Sequence, residues 1–157
     1  MVIKDYKVLG DFKDSSVGGG FIGFNKDNKL ILGKMSNKKA TSIYKDAIEF
    51  GPFLIINGKQ TKIKGNGGWG IAPRTAIGQR KDGTVLFLVI NGRIPSSIGA
   101  SMIDLSNLMK RYEAYNAANL DGGSSSELVI NNKIKNVPVG DSKKGLRTMA
   151  TFWIVKK

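Results

Sequence analysis

The sequence predicts an α+β fold, one compact, strand-rich domain, and three observations carry that expectation. Short apolar runs recur along the chain, each bounded by Gly, Asn or Asp. Glycine accounts for 20 of the 157 residues without a collagen-like period, a density that suits tight turns and close backbone approaches. Only one segment, about 101–117, has clear helical spacing. A chain of 157 residues that is 41% hydrophobic and 24% charged is long enough for one domain, 1–157, with a sizeable core.

In chain order, residues 29–35 (KLILGKM) read as a strand, and 41–49 (TSIYKDAIE) as a weaker second helix. Residues 52–57 (PFLIIN) form a strand, Gly58 turns the chain, and 60–64 (QTKIK) continues as another strand. Residues 84–90 (TVLFLVI) are the most apolar run, set between the turn dipeptides Asp82-Gly83 and Asn91-Gly92. A continuous apolar run of this length predicts a central strand covered on both faces. Ser101, with Asp104 three residues on, has capping-box spacing and predicts the start of the clear helix. Met102, Leu105, Leu108, Met109 and Tyr112 follow at helical intervals, and the helix should end near Tyr115–Ala118. Residues 127–131 and 134–137, joined at Asn132-Lys133, predict a hairpin, and 147–155 (RTMATFWIV) the last strand.

The chain has neither Cys nor His. A thiolate nucleophile, a Ser-His-Asp triad and a Cys/His zinc site are therefore excluded. A catalyst must come from carboxylates, Arg, Lys, hydroxyls or backbone amides. The net charge of +13 attracts anions over long range. The lysines are scattered, with no compact basic block interleaved with aromatics, so nucleic acid is not an expected partner. Residues 1–10 lack the apolar run of a signal peptide, and no window is long and apolar enough to predict a membrane span; the chain reads as soluble.

Four motifs point to chemistry. Leu120-Asp121-Gly122-Gly123-Ser124-Ser125-Ser126, placed between the helix and a strand, is either a tight connection or a concave nest of amides and hydroxyls for an anion, with Asp121 at its mouth. Arg74, within Ala72-Pro73-Arg74-Thr75-Ala76-Ile77-Gly78, is either an ion-pair partner or a planar fork for a phosphate. Arg93 follows the most apolar strand in Asn91-Gly92-Arg93, and Arg147 opens the last segment after Lys143-Lys144-Gly145. Only five of the 25 basic residues are Arg, and two of them, Arg80 and Arg111, read as surface residues.

Taken in order, Gly51-Pro52-Phe53-Leu54, Asn57-Gly58-Lys59, Pro73-Arg74-Thr75-Ala76-Ile77-Gly78, Asp82-Gly83, Gly92-Arg93, Asn119-Leu120-Asp121-Gly122-Gly123, Ser125-Ser126, Asn136 and Arg147 resemble the phosphodiester glycosidase family. The best-known members of that family remove N-acetylglucosamine from a phosphodiester, and bacterial and phage relatives exist. Gly18-Gly19-Gly20-Phe21 is similar to the family's Asn-Gly-Gly-Phe-Phe stretch. This chain departs from the pattern at Asn91, where the family has Asp, at Ser124, where it has Gly, at Gly18, where it has Asn, and at Glu127, where Thr is common.

The resemblance implies a hydrolase of sugar-1-phosphodiesters. It implies catalytic roles for Asp121, Arg74, Arg147 and Glu127, with Asp121 ranked above Glu127 as the working carboxylate. It implies substrate contacts from Arg93, Thr75, Gly122, Gly123, Ser124, Ser125, Ser126, Gly19 and Gly20. No cofactor is required, although Asp121, Glu127 and the serine hydroxyls are hard oxygen ligands that suit Mg²⁺ or Ca²⁺. The expected partner is a small anionic sugar phosphate or a cell-wall phosphodiester. Two other classes fit the same residues: a non-catalytic sponge for a phosphorylated sugar or nucleotide, and a cell-wall polyanion binder held by net charge.

Overall fold

The computed structural model describes residues 1–10, 19–140 and 146–155. Two five-stranded sheets, antiparallel at every pairing, form the body of the α+β fold. The first contains β1 (Val2–Lys4), β2 (Lys7–Gly10), β3 (Gly20–Phe24), β4 (Leu30–Gly33) and β5 (Asp46–Phe50), in the order β2-β1-β5-β3-β4. The second contains β6 (Phe53–Ile56), β7 (Lys59–Gln60), β8 (Arg74–Gln79), β9 (Val85–Ile90) and β10 (Asn116–Asn119), in the order β7-β6-β10-β8-β9. Helix α1 (Asn37–Ile43) lies outside the first sheet and α2 (Met102–Arg111) outside the second. A short ribbon, β11 (Val129–Ile130) and β12 (Lys133–Ile134), follows.

The order of layers is α1, first sheet, second sheet, α2, and strand alternation builds it. Phe21 and Ala47 turn toward Ala40 of α1 and Tyr44 just beyond its end, while their neighbours Ile22 and Ile48 turn inward to Ile77 and Ala118 of the second sheet. The other face of that sheet, including Leu54, Ala76 and Ala117, packs on Met102, Leu105 and Met109 of α2. A polar clamp joins the sheets. Leu30 donates its N–H to Gln79 Oε1 (2.7 Å) and accepts at its carbonyl from Asn116 Nδ2 (2.9 Å). Gln79 and Asn116 are themselves opposite each other on β8 and β10.

Several expected elements are borne out with changed limits, and others are corrected. The strand expected at 29–35 is Leu30–Gly33, and that at 52–57 is Phe53–Ile56. The expected 60–64 strand shrinks to Lys59–Gln60, because the chain turns away through left-handed Gly65, Asn66 and Gly67. The expected 41–49 helix is displaced. Ser36 caps a helix over Asn37–Ile43, and 46–50 is strand β5 between β1 and β3. The 84–90 run is a strand, but it is the edge strand β9. Leu86, Leu88 and Ile90 face α2, whereas Val85 and Phe87 are 38% and 39% exposed. The helix expected over 101–117 stops at Arg111. Glu113 adopts φ +61° and Ala114 N–H bonds to Met109 O (3.0 Å), a left-handed stop made without glycine. Residues 116–119 then become the central strand β10, so the Asp121 loop follows a strand and not a helix.

The expected hairpin forms one residue earlier. Asn131 and Asn132, at φ 51° and 58°, supply its two left-handed turn positions. No strand forms within 147–155. Trp153 is half-buried there, edge-on to Phe24 at 5.6 Å, while Phe152, Ile154 and Val155 are exposed. Gly18 and Lys143-Lys144-Gly145 lie outside the described residues.

The capping box of α2 is complete. Ser101 Oγ accepts from Asp104 N–H (3.1 Å), and Asp104 Oδ2 accepts from Ser101 N–H (2.9 Å) and Oγ (2.6 Å). These bonds hold the Asp104 carboxyl below its usual pKa. Ser101→Ala is expected to lower unfolding stability by about 1 kcal/mol in urea titrations at neutral pH. A depressed acid contributes stability above its unfolded pKa, so the difference from wild type should shrink as pH falls through the carboxylate range. At the opposite extreme, burial pushes the Tyr44 hydroxyl up from 10.0 to about 12. Its contribution is intact below pH 10 and is lost as pH rises toward 12. Alkaline unfolding followed by circular dichroism should therefore lose less stability across that window in Tyr44→Phe than in wild type.

Candidate functional site

The candidate residues converge at one end of the second sheet. Strand β8 runs antiparallel to both β9 and β10, so its first residue lies beside the last residues of its neighbours. Arg74 opposes Ile90, and Asn91-Gly92-Arg93 follows directly from there. Asn119 opposes Ala76, and the chain beyond it folds back along β8: Leu120 N–H bonds to Thr75 O (2.9 Å) and Gly123 N–H to Pro73 O (2.8 Å). Three segments far apart in sequence thus meet over Arg74.

Arg74 is only 2% exposed. Its Nε donates to Ala100 O (2.9 Å) and its Nη2 to Gly70 O. Burial, and then the nearby charge of Arg93, lower its pKa from the usual guanidinium value. Arg93 is exposed, with φ +57°, and its guanidinium Nη1 lies 3.5 Å from where a Cβ on Gly123 would stand. Among the described residues neither arginine has a carboxylate within ion-pair distance. The paired arginine is Arg80, which bonds Glu113 at the surface as its pattern suggested; Arg111 is exposed.

Close backbone contacts hold the arginines together. A Cβ on Gly92 would fall 2.7 Å from Pro73 N and from Gly99 Cα, and one on Gly122 2.9 Å from Pro73 O. Asn91, where the family carries Asp, is engaged in the fold: its Oδ1 accepts from Val137 N–H (2.9 Å) and its carbonyl from Ser97 Oγ (2.7 Å).

The Asp121–Ser126 loop divides into buried and open parts. Gly123, Ser125 and Ser126 spend their N–H groups on Pro73, Gly122 and Gly123 carbonyls. Ser126 is buried and accepts at Oγ from Thr75 Oγ1 (3.2 Å), while Ser125 has a buried Oγ with no partner. Asp121 is exposed and forms no hydrogen bond or ion pair among the described residues. Glu127 and Ser124 are half-buried. Arg147 is exposed on the C-terminal segment.

Gly19 and Gly20 belong to the seam between the sheets. A Cβ on Gly19 would fall 2.1 Å from Phe50 O, and one on Gly20 2.7 Å from Phe53 Cζ. Gly51, beside Gly19, accepts from Asn119 Nδ2 (2.8 Å), and Pro52 accepts from Asn119 N–H (3.0 Å). Asn119 was not singled out as a site residue by sequence reasoning. It is 2% exposed, stands two residues before Asp121, and keeps a buried Oδ1 without a partner. Its position inside the Asn119-Leu120-Asp121 motif was the available signal. Among the described residues no group of three or more acidic side chains converges. No helix there is long and apolar enough to cross a membrane.

The sequence profile of the phosphodiester glycosidase family matches residues 1–156. The chain belongs to the phosphodiester glycosidase family. Among curated proteins, this phosphodiester glycosidase domain is similar to the SPbeta prophage-derived protein YomE of Bacillus subtilis (strain 168), 41% identical over 69 residues. It is also similar to the N-acetylglucosamine-1-phosphodiester α-N-acetylglucosaminidase of Bos taurus, 29% identical over 68 residues. Each alignment covers 43% of this chain but only 11% and 13% of the respective relatives. Among solved structures, the pro-peptide-inhibited catalytic domain of the zebrafish N-acetylglucosamine-1-phosphodiester α-N-acetylglucosaminidase has a TM-score of 0.70 at 24% identity. That likeness covers 87% of this chain and 50% of the zebrafish chain, and it is a likeness of fold. A protein of Synechocystis aligns with a TM-score of 0.54 at 25% identity, over 69% of this chain and 21% of its own.

The seam around Arg74 and Arg93 has a direct stability test. Gly99 has φ +109°, and a Cβ there would lie 2.4 Å from the Ala72 carbonyl carbon; Gly83 has φ +93° with nothing within 4 Å. Both alanine substitutions carry backbone strain, but only Gly99→Ala adds a clash with backbone. Gly99→Ala is expected to be less stable than Gly83→Ala by about 1–3 kcal/mol in denaturant titrations. Equal costs would mean that the seam opens freely.

Proposed function

We propose that this phosphodiester glycosidase hydrolyses the bond between the anomeric carbon of a sugar and the bridging oxygen of its phosphodiester. The observation that carries the reading is the Arg74–Arg93 pair, two mutually repelling guanidiniums without a carboxylate partner among the described residues. Such a pair is stabilised by an anion between or above the two charges.

In this reading the phosphate sits against Arg74 and Arg93. The Asp121–Ser126 loop lines the same place, and its donors without a partner among the described residues are the Ser124 hydroxyl and the backbone N–H groups of Asp121, Gly122 and Ser124. Water adds its oxygen to the anomeric carbon as the C–O bond breaks, and the bridging oxygen leaves with the phosphorus as a phosphate monoester. Charge grows on that monoester in the transition state, and preorganised guanidiniums facing it lower the barrier. Asp121, exposed and without an ion pair among the described residues, is the carboxylate that takes the proton from water or stabilises the cationic sugar. Glu127 is the second carboxylate, and Arg147 a further phosphate ligand supplied by the C-terminal segment. Thr75, bonded to Ser126, holds the loop on β8, and Gly19 and Gly20 bring the first sheet up to the site. A Mg²⁺ or Ca²⁺ ion bound at Asp121 and Glu127 would add charge neutralisation.

The test is sugar release from a panel of sugar-1-phosphodiesters, with and without divalent cations, by wild type, Asp121→Asn and Arg93→Ala. The expected result is free sugar from at least one substrate, with a loss of about 100-fold or more in each variant. Tight binding of a panel member without turnover would replace the enzyme by the sponge. Salt-sensitive binding indifferent to Asp121 and Arg93 would point to the polyanion binder.

A further inference from the structure

A cleft of about 280 Å³ opens where the two sheets meet. Gly19 lines it, and Gly19 and Gly20 let the two sheets pack closely beside it, because Cβ atoms there would collide with Phe50, with the tip of the Phe53 ring and with the stem of Lys34. Its apolar wall is Pro52, Phe53 and Ile63. Its charged wall is Lys34, Lys62 and Lys64, and among the described residues no acidic side chain lines it. Among the described residues none of these three lysines forms an ion pair. Three like charges around one concave surface raise the local potential more than the same charges spread over a convex one.

The chain links the cleft to the candidate site on two sides. The segment bearing Lys62 and Lys64 runs on to Gly70, whose carbonyl receives the Arg74 guanidinium. On the other side Pro52 accepts the N–H of Asn119, two residues before Asp121. The cleft and Arg74 thus lie toward the same end of the second sheet, where β6 begins, β10 ends and β8 begins.

We propose that the cleft is the aglycone subsite and selects an aglycone that carries a further phosphate. The inference rests on the proposed glycosidase reading for the word aglycone, and on the cleft alone for the anion. The lysines meet the additional phosphate, while Pro52, Phe53 and Ile63 face the carbon skeleton. Compact apolar surface with a few convergent charges suits a ligand of mixed character.

The test begins with calorimetric titration of inorganic pyrophosphate into three proteins: wild type, Lys34→Ala/Lys62→Ala/Lys64→Ala, and a charge-matched control, Lys26→Ala/Lys29→Ala/Lys133→Ala. The cleft variant should bind pyrophosphate at least tenfold more weakly than wild type, and the control within about twofold of it. Equal weakening in both variants, or no binding to wild type, overturns the inference and leaves the glycosidase reading standing. The second arm compares kcat/KM for UDP-GlcNAc and for the methyl ester of GlcNAc-1-phosphate. The ratio favouring the diphosphate should fall at least tenfold in the cleft variant, mainly through KM. An unchanged ratio overturns the aglycone assignment. Pyrophosphate binding that depends on the cleft lysines, without turnover of either ester, supports the anion subsite while the glycosidase reading fails.

Discussion

The register between β8 and β10 is the constraint from which the rest of the structure follows. It sets Gln79 opposite Asn116, so that their amides bracket the N–H and C=O of Leu30 and lock the first sheet to the second. Buried polar groups of this kind tolerate little displacement, because a slip leaves donors and acceptors unpaired in a dry interior. The same register places Asn119 opposite Ala76, and thereby folds Leu120–Gly123 back over Thr75 and Pro73. A shift of one residue would turn the side chains of β10 to the opposite faces. It would also carry Asp121 away from Arg74.

The site inherits its electrostatics from that geometry. Two arginines are brought together by backbone packing, through glycines that leave no room for a Cβ, and not by attraction between side chains. Their mutual repulsion and the burial of Arg74 are costs, offset only in part by the carbonyls of Gly70 and Ala100. In the proposed reading an anion completes the pair, the excess of +13 over the whole chain draws it in, and the cleft lysines extend the same logic beyond the phosphate.

What the sequence made legible was whatever has a local cause. The start of α2 is written in Ser101 and Asp104, and the apolar run of β9 in six consecutive hydrophobic residues bounded by turns. The left-handed pair in the 129–134 hairpin was signalled by asparagines, with an error of one position. The missed elements have non-local causes. Strands β8 and β10, RTAIGQ and NAAN, carry little apolar bulk of their own, and are strands because neighbours on both sides pair with them. The end of α2 depends on Glu113 adopting a left-handed conformation without the glycine that usually marks one. Residues 147–155 have strand composition, yet no neighbouring strand pairs with them among the described residues.

For the site, the sequence by itself determined which chemistry is available: no thiolate, no imidazole, a few arginines at turns, and one Gly-Ser loop headed by a carboxylate. It also carried the order of motifs that marks the phosphodiester glycosidase family. Only the tertiary structure decided which of those residues meet. Arg74, Arg93 and the Asp121 loop are joined because β8 runs antiparallel to both neighbours, while Arg147 is exposed on the C-terminal segment, outside these strands. Only there do Asn91 and Asn119 become backbone anchors. Residue type is a property of the chain, whereas proximity between distant segments is set by strand register and by the close approach that glycine permits.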